Sequence, residues 1–275
     1  MIGSRVLPIL GMVLLVACAP SALPPTSSSA PATPAPAAVP GGDVGPERLV
    51  GNPPPRPAQP AMAAGYASSL VADHCVDRDL AAPPADDAIL TVLDRSYALP
   101  ADHVPPDLVP ASTAGMTGTS APRLVRQVIV DDLGAMRAAW EAAGMTIEIE
   151  SAYRSFTDQQ ATFDGWVTRI GEAGARLRTA RPGHSEHQLG TAIDVISPGW
   201  GGRFGDWAVE AAEGAWMAEH AWEYGFVMSY PADGVDDTCY GYEPWHYRWI
   251  GREAAAEHRA SGLTLRGFLE RHVGG

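Results

Sequence analysis

Proline and aromatic residues are distributed so unevenly along this 275-residue chain that only its later part can build a hydrophobic core. Of the 25 prolines, 13 lie in residues 20–60, and no aromatic residue precedes Tyr66. All eight tryptophans lie in the second half of the chain. A segment rich in Pro, Ala and Ser cannot bury enough apolar surface to offset the entropy lost on ordering. We therefore expect a disordered tether over residues 18–65 and one folded domain over residues 66–275.

The first 17 residues have the features of an export signal. Arg5 is followed by an apolar stretch of twelve residues, 6–17. As a helix this stretch rises only about 18 Å, less than a bilayer core of about 30 Å, which predicts a cleaved signal peptide. Leu-Val-Ala-Cys at its end resembles a bacterial lipobox, in which Cys18 is lipidated and becomes the mature N-terminus. We expect an exported lipoprotein of the cell envelope, anchored in the membrane through Cys18 and facing the cell wall; an ordinary signal peptide is the alternative.

Charge and cysteine content exclude several classes of protein. The chain has 19 Lys+Arg against 32 Asp+Glu, a formal charge of −13, which argues against nucleic-acid binding. Three cysteines are too few for a disulfide-dense scaffold or a four-cysteine zinc module. If Cys18 carries lipid, Cys75 and Cys239 remain as an even pair in an oxidising compartment. We expect a disulfide between them, with two free buried thiols as the alternative.

Apolar periodicity predicts helices that alternate with short strands. Apolar residues recur at helical spacing over 121–143, before Gly144, and residues 145–151 alternate apolar and acidic side chains as a half-buried strand does. Further helices are predicted at 67–75, 158–170, 206–224, after Gly251 and after Thr264, and further strands at 88–93, 191–196, 226–230 and 245–250, with an irregular segment at 100–110. No Gly-rich phosphate loop follows a strand. This pattern favours an α+β fold, with a small antiparallel sheet flanked by helices, over a doubly wound nucleotide-binding fold.

Three polar clusters carry the candidate chemistry. They are Ser-Ala-Tyr-Arg-Ser-Phe-Thr-Asp-Gln at 151–159, Ser-Glu-His-Gln-Leu-Gly-Thr-Ala-Ile-Asp at 185–194 and Glu-Pro-Trp-His-Tyr-Arg at 243–248. Asp194 stands inside an apolar strand, where a carboxylate that faces the interior needs a charged partner or a metal. Together with His187 and His246 it would give zinc three ligands and leave a fourth position for water. Glu243 could then accept a proton from that water. Taken singly, each cluster also fits a surface histidine, a locally hydrogen-bonded aspartate or a turn.

Taken together, the clusters resemble a known family. The pattern Ser-x-His-x-x-Gly-x-Ala-x-Asp, followed by Glu-Pro-Trp-His-x-Arg, is similar to that of the VanY-like zinc D-alanyl-D-alanine carboxypeptidases, which are zinc D,D- and L,D-carboxypeptidases of peptidoglycan. Residues 151–159 match the arginine motif of the family, and the three motifs occur in the family's order. The resemblance covers residues 88–252. It implies the hedgehog/D,D-peptidase-like zinc peptidase fold and one Zn²⁺ per chain.

The resemblance also implies a role for each motif residue. His187, Asp194 and His246 would bind zinc, and Glu243 would act as the general base that later hands its proton to the leaving amine. Arg154 would hold the scissile carbonyl oxygen as it becomes an oxyanion. Gln159 and Ser185 match positions that would contact the substrate. One departure is Ser229, which stands where relatives often carry arginine.

The implied activity is removal of the terminal D-Ala from peptidoglycan stem peptides by a monomer. The same chemistry would also suit an L,D-carboxypeptidase or an endopeptidase. A non-catalytic, zinc-stabilised wall-binding lipoprotein is an alternative of a different class. Glu243 argues against it, because a structural site would fill the fourth zinc position and need no base. A serine penicillin-binding enzyme lacks support, since no Lys-Thr-Gly motif occurs.

Overall fold

Eight strands and seven helices follow one another along the residues that the structure, a computed structural model, describes: 75–83, 88–116, 122–200 and 203–273. The strands are β1 (Leu80–Ala81), β2 (Tyr97–Ala98), β3 (Leu108–Pro110), β4 (Leu124–Arg126), β5 (Glu148–Ser151), β6 (Ala192–Ile196), β7 (Phe226–Met228) and β8 (His246–Trp249). The helices are α1 (Val130–Ala142), α2 (Phe156–Ala175), α3 (Phe204–Glu210), α4 (Ala212–His220), α5 (Val235–Thr238), α6 (Arg252–Ser261) and α7 (Leu265–Val273).

The predictions for the N-terminal part of the chain lie outside the described residues. They are the signal peptide, lipidation of Cys18, the tether and, apart from Cys75, the helix at 67–75. The described residues all belong to one compact unit, Ala63–Gly275. Within the ranges that the structure describes, no helix combines the length and the apolar composition needed to cross a bilayer.

The central sheet has four antiparallel strands in the order β5-β6-β8-β7. Two smaller pairs lie outside it, with β1 parallel to β2 and β3 antiparallel to β4. Helices flank the sheet, and buried residues of α1 pack with those of β6 in the largest hydrophobic cluster. The predicted α+β architecture with a small antiparallel sheet is confirmed.

The two faces of the central sheet differ in chemistry, because side chains alternate along each strand. Ile193 and Val195 of β6 are fully buried in the cluster that α1 covers. Asp194, between them, therefore lies on the opposite face, and the strand register pairs it with His246 of β8. Arg248 lies two residues further along β8 and so on the same face as His246. This second face carries the candidate metal ligands.

The helix predicted over 121–143 is shorter in the structure. Residues 124–126 pair with β3 as the strand β4, a 3₁₀ turn follows, and α1 begins only at Val130. The helix ends at Ala142, just before Gly144, whose φ of 76° lies in the left-handed region that favours glycine. The same pairing makes residues 108–110 a strand within the segment predicted to be irregular.

The long helix predicted over 206–224 is broken into α3, α4 and a 3₁₀ turn. Ala211, between α3 and α4, is extended, with φ −92° and ψ 139°. Gly214 allows the break, since a Cβ atom at this position would lie 2.6 Å from the Cα of Ala208. Only a residue without a side chain permits α4 to approach α3 so closely.

The strand predicted at 88–93 is wrong, because these residues form turns and irregular backbone. The carbonyl oxygens of Ile89 and Thr91 each accept a hydrogen bond of 2.7 Å from Nη2 of Arg248. The apolar segment thus binds a buried guanidinium group instead of joining a sheet. A disulfide links the N-terminal end of the described domain to the segment before β8, joining Cys75 to Cys239 with their Cα atoms 5.4 Å apart.

Candidate metal centre and its cleft

Two histidines and one aspartate converge on the polar face of the central sheet. His187, Asp194 and His246 each offer one ligand atom, and these atoms all lie within 4.8 Å of one another. Nε2 of His187 is 3.2 Å from Oδ2 of Asp194, and Nδ1 of His246 is 3.0 Å from Oδ1 of the same carboxylate. The structure therefore brings together the three residues predicted as zinc ligands.

His187 is positioned by a 3₁₀ turn, Glu186–Leu189, that leads into β6. The Oγ atom of Ser185 caps this turn and accepts a hydrogen bond of 3.4 Å from the backbone N–H of His187. Nδ1 of His187 lies 2.7 Å from the carbonyl oxygen of Ala152, which can only accept a hydrogen bond, so Nδ1 carries the proton and donates. Nε2 is then the free ligand atom, turned towards Asp194.

His246 presents the opposite nitrogen to the site. Its Nε2 lies 2.9 Å from Oε2 of Glu186, so Nε2 donates to that carboxylate and Nδ1 faces Asp194. A carboxylate that accepts from the second nitrogen of a ligating histidine fixes the orientation and tautomer of the ring. Glu186 thereby orients one candidate ligand, although it stands directly beside the other, His187, in the sequence.

Glu186 is itself held by two further side chains. Its Oε2 accepts a hydrogen bond of 2.6 Å from Ser229, and its Oε1 accepts one of 2.9 Å from the fully buried Arg248. Burial acts to raise the pKa of Glu186, but Arg248 and His246 lower it to about 2. The sequence analysis did not predict that the ionised carboxylate of Glu186 orients His246. The available signals were the place of Glu186 inside the histidine motif and the two-residue spacing from His246 to Arg248 along one strand.

The protonation states of the cluster suit a divalent cation. Burial and the charge of Arg154 lower the pKa of His187 to about 4, which leaves its imidazole neutral. Burial alone would lower the pKa of His246, but hydrogen bonds to Asp194 and Glu186 raise it to about 10. A proton on His246 thus offsets the negative charge of Asp194 and Glu186, which is the charge that a bound cation would also neutralise. Two imidazole nitrogens and one carboxylate oxygen fit zinc.

Glu243 lines the same cleft from the segment before β8. Its backbone N–H donates to the carbonyl oxygen of Tyr230 at 3.0 Å, and its own carbonyl accepts from the N–H of His246 at 3.1 Å. The residue is half-buried, and burial raises the pKa of its carboxyl to about 7 against the positive charge of His246. A carboxyl with that pKa can both accept and release a proton near neutral pH.

Arg154 is a second ionisable residue, besides Glu243, that lines the cleft without being a candidate ligand. Its Nε is buried and has no hydrogen-bond partner, and among the described residues no carboxylate forms an ion pair with its guanidinium group. Burial lowers the pKa of Arg154, while Asp194 and Glu243 act against that shift. A buried donor without a partner that also lines a cleft indicates a place for a ligand's acceptor atom.

The cleft has a volume of about 140 Å³. Its lining comprises Arg154, Thr162, Trp166, Arg178, Thr179, Ala180, Ser185, His187, Asp194, Tyr230, Tyr240, Glu243, Trp245 and His246. Ser185 thus lies where a substrate contact is predicted. Gln159 lies one layer behind: it is fully buried, and its amide donates to Oγ1 of Thr179 and to the carbonyl oxygen of Ala180. Gln159 supports the wall of the cleft, and a direct contact with substrate stays a prediction.

One cleft of this α+β domain contains a His-Asp-His cluster, an acidic residue of raised pKa and an arginine whose Nε has no partner among the described residues. These are the features of a metal-dependent hydrolase. Comparison with known proteins defines the class more closely. The sequence model of the VanY family, described as D-alanyl-D-alanine carboxypeptidase, matches residues 122–252.

Three relatives illustrate the likeness. The protein YodJ of Bacillus subtilis is 36% identical over 184 residues, which are 66% of this chain and 67% of the relative. The structure of the LdcB LD-carboxypeptidase has a TM-score of 0.61 and 34% identity, over 67% of this chain and 86% of that one. A mutant of the vancomycin-resistance D,D-pentapeptidase VanY in complex with Zn(II) has a TM-score of 0.54 and 29% identity, over 66% of this chain and 98% of that one.

The chain belongs to the VanY family of D-alanyl-D-alanine carboxypeptidases. The matched region contains all three motifs on which the resemblance was based. The predicted family and its peptidase fold are confirmed.

Proposed function

We propose that this protein is a zinc-dependent D-alanyl-D-alanine carboxypeptidase that removes the terminal D-Ala of peptidoglycan stem peptides. The observation that carries the proposal is the convergence of His187, Asp194 and His246 in a cleft that Glu243 and Arg154 also line. The family description and the Zn(II) complex of the VanY relative support the substrate and the metal.

His187 through Nε2, Asp194 through its carboxylate and His246 through Nδ1 would hold the zinc. Zinc, when bound in such a site, supplies positive charge at the reacting carbonyl and makes a water nucleophilic at neutral pH. Three protein ligands leave a coordination position open, which distinguishes a catalytic site from a structural one.

The remaining steps belong to side chains of the chain itself. The carboxylate of Glu243 takes a proton from the attacking water and later delivers it to the nitrogen of the leaving D-Ala. The guanidinium group of Arg154 binds the carbonyl oxygen of the scissile bond, where negative charge develops as water adds. Because its buried Nε has no hydrogen-bond partner among the described residues, that donor is free for the oxygen.

A second candidate is an L,D-carboxypeptidase, which would use the same residues to shorten a tetrapeptide. The resemblance to the LdcB LD-carboxypeptidase favours it, with a higher TM-score than that to the D,D-pentapeptidase. The two activities differ in the configuration of the residue on the amino side of the scissile bond.

The test is incubation of the zinc-loaded protein with defined pentapeptide and tetrapeptide stems, with and without a chelator. We expect chelator-sensitive release of D-Ala from the pentapeptide. Release from the tetrapeptide alone would assign the L,D activity, and no release from either peptide would contradict the proposed function.

For the location, we propose an exported lipoprotein whose lipidated Cys18 anchors the domain in the membrane. Support comes from the lipobox-like Leu-Val-Ala-Cys and the proline-rich segment that follows it. Mass spectrometry of the mature N-terminus should find lipid on Cys18. An unmodified terminus at another residue would contradict the anchor.

A further inference from the structure

One wall of the cleft contains residues that the proposed reaction does not use. Thr162 and Trp166 lie on α2, and Arg178 and Thr179 follow shortly after that helix. These four residues, here called the α2 wall, line the same cleft as the candidate zinc ligands. A peptide bound at the ligands can therefore contact the α2 wall.

Arg178 is exposed and lacks a carboxylate partner within the part of the chain that the structure describes. The carboxylates of α2 are already engaged. Asp158 accepts from Ser155 in the capping box, Asp164 accepts from Gln160 at 2.8 Å, and Glu172 pairs with Arg176 at 2.6 Å. In a chain with 32 acidic against 19 basic residues, an arginine left unpaired at a cleft is available for an anionic ligand.

Trp166 adds an apolar surface to the α2 wall, and Arg169, next to the wall, adds a second cation. The guanidinium carbon of Arg169 lies 5.5 Å from the centre of the Trp166 ring, and no carboxylate among the described residues pairs with Arg169. The half-buried indole can pack against methylene groups, while the two arginines keep the wall positive. This combination suits a side chain that carries an aliphatic stem and a terminal carboxylate.

We propose that Arg178 and Trp166 form a subsite for a second carboxylate of the stem peptide, in a residue on the amino side of the scissile bond. The inference rests on the proposed function and names its substrate class. Stems whose third residue is a diamino dicarboxylic acid, such as diaminopimelate, offer that carboxylate. Lysine at this position has the same terminal ammonium group as diaminopimelate but lacks the carboxylate that would offset the repulsion from the two arginines.

The test compares three synthetic pentapeptides that differ only at the third residue: diaminopimelate, its side-chain carboxamide, and lysine. Binding to the zinc-loaded full chain carrying Glu243→Gln is measured by isothermal titration, which avoids turnover. We expect the diaminopimelate peptide to bind about three- to tenfold more tightly than its carboxamide, because one partly exposed ion pair distinguishes them. High salt should reduce the difference.

Arg178→Gln, introduced into the same protein, should abolish the preference for the free carboxylate and leave the affinity for the lysine peptide unchanged or higher. Arg259→Gln is the matched control, since Arg259 is exposed as Arg178 is, and lies over the ring of Trp222 on another part of the surface. It should keep the preference.

The inference would be overturned if the protein with Arg178 intact bound the diaminopimelate peptide and its carboxamide with equal affinity. It would also be overturned if Arg178→Gln lowered the affinity for all three peptides equally. That result would place Arg178 at the terminal carboxylate that the peptides share. Release of D-Ala by the wild-type protein is measured in parallel. If it cleaves none of the peptides the proposed function fails, while the binding comparison still decides whether the subsite exists.

Discussion

Nε2 of His246 lies 2.9 Å from Oε2 of Glu186, and the two residues are separated by 60 positions in the sequence. The contact turns Nδ1 of His246 towards Asp194 and so determines which nitrogen can bind a metal. Because Ser229 and Arg248 hold the same carboxylate, the orientation of His246 depends on three buried side chains from three segments of the chain.

Glu186→Gln should weaken zinc binding. The amide presents a donor where the carboxylate has an acceptor, so it cannot accept from His246, Ser229 and Arg248 together. Loss of such support around a ligating histidine typically costs about 10- to 100-fold in metal affinity. Competition with a chromogenic chelator measures the dissociation constant.

Two further variants separate orientation from folding. Glu172→Gln makes the same chemical change on the exposed side of α2 and should leave zinc affinity unchanged. Ser229→Ala removes one hydrogen bond to Glu186 without leaving Arg248 unpaired, and should weaken zinc binding by a smaller factor. Wild-type affinity in both Glu186→Gln and Ser229→Ala would contradict the orienting role.

Glu243→Gln should retain zinc and lose most turnover. The amide preserves the shape of the side chain but cannot take a proton, and general acid–base catalysis contributes about 10²- to 10⁴-fold. Zinc content by atomic absorption and release of D-Ala are measured on the same preparation. Glu253→Gln, on the exposed first turn of α6, is the control and should have the wild-type rate. An undiminished rate in Glu243→Gln would reject it as the base.

Reduction of the disulfide between Cys75 and Cys239 should destabilise the domain. The bridge spans 164 positions, and closing a loop of that length is worth roughly 5 kcal/mol in the chain-entropy model, often less in practice. Urea unfolding should show a lower midpoint with reductant than without. The double variant Cys75→Ser, Cys239→Ser should have the low midpoint under both conditions. If complete reduction left the urea midpoint of the wild-type protein unchanged, the disulfide would not stabilise the domain.

The candidate ligands are predictable because local rules position them. Alternation along a strand places Asp194 opposite its apolar neighbours, and the histidine motifs lie immediately before β6 and at the start of β8. The antiparallel register then brings His246 to Asp194. Short-range spacing therefore contains most of the information about the metal centre.

The support around the ligands is not predictable in the same way, because it depends on contacts between distant segments. The apolar run at 88–93 has strand-like composition, yet two of its carbonyl groups accept hydrogen bonds from Arg248. The break at Ala211 depends on how closely Gly214 approaches α3. In both cases tertiary contacts override local propensity, and the apolar periodicity of the sequence does not reveal those contacts.

Arg154 and Arg248 have buried guanidinium nitrogens, and they should respond oppositely to replacement by methionine. Arg248 is paired with Glu186, so Arg248→Met leaves a buried carboxylate without its partner and should cost about 3–5 kcal/mol of stability. Within the ranges that the structure describes, Nε of Arg154 has no hydrogen-bond partner. Arg154→Met should therefore not lower the midpoint of thermal unfolding, and zinc content should stay at the wild-type level. Turnover should nevertheless fall by about 10²- to 10³-fold, because a donor to the developing oxyanion is lost. Unfolding midpoints, zinc content and D-Ala release are compared across both variants. If Arg154→Met destabilises the protein as much as Arg248→Met does, Arg154 holds the fold together and the oxyanion needs another donor.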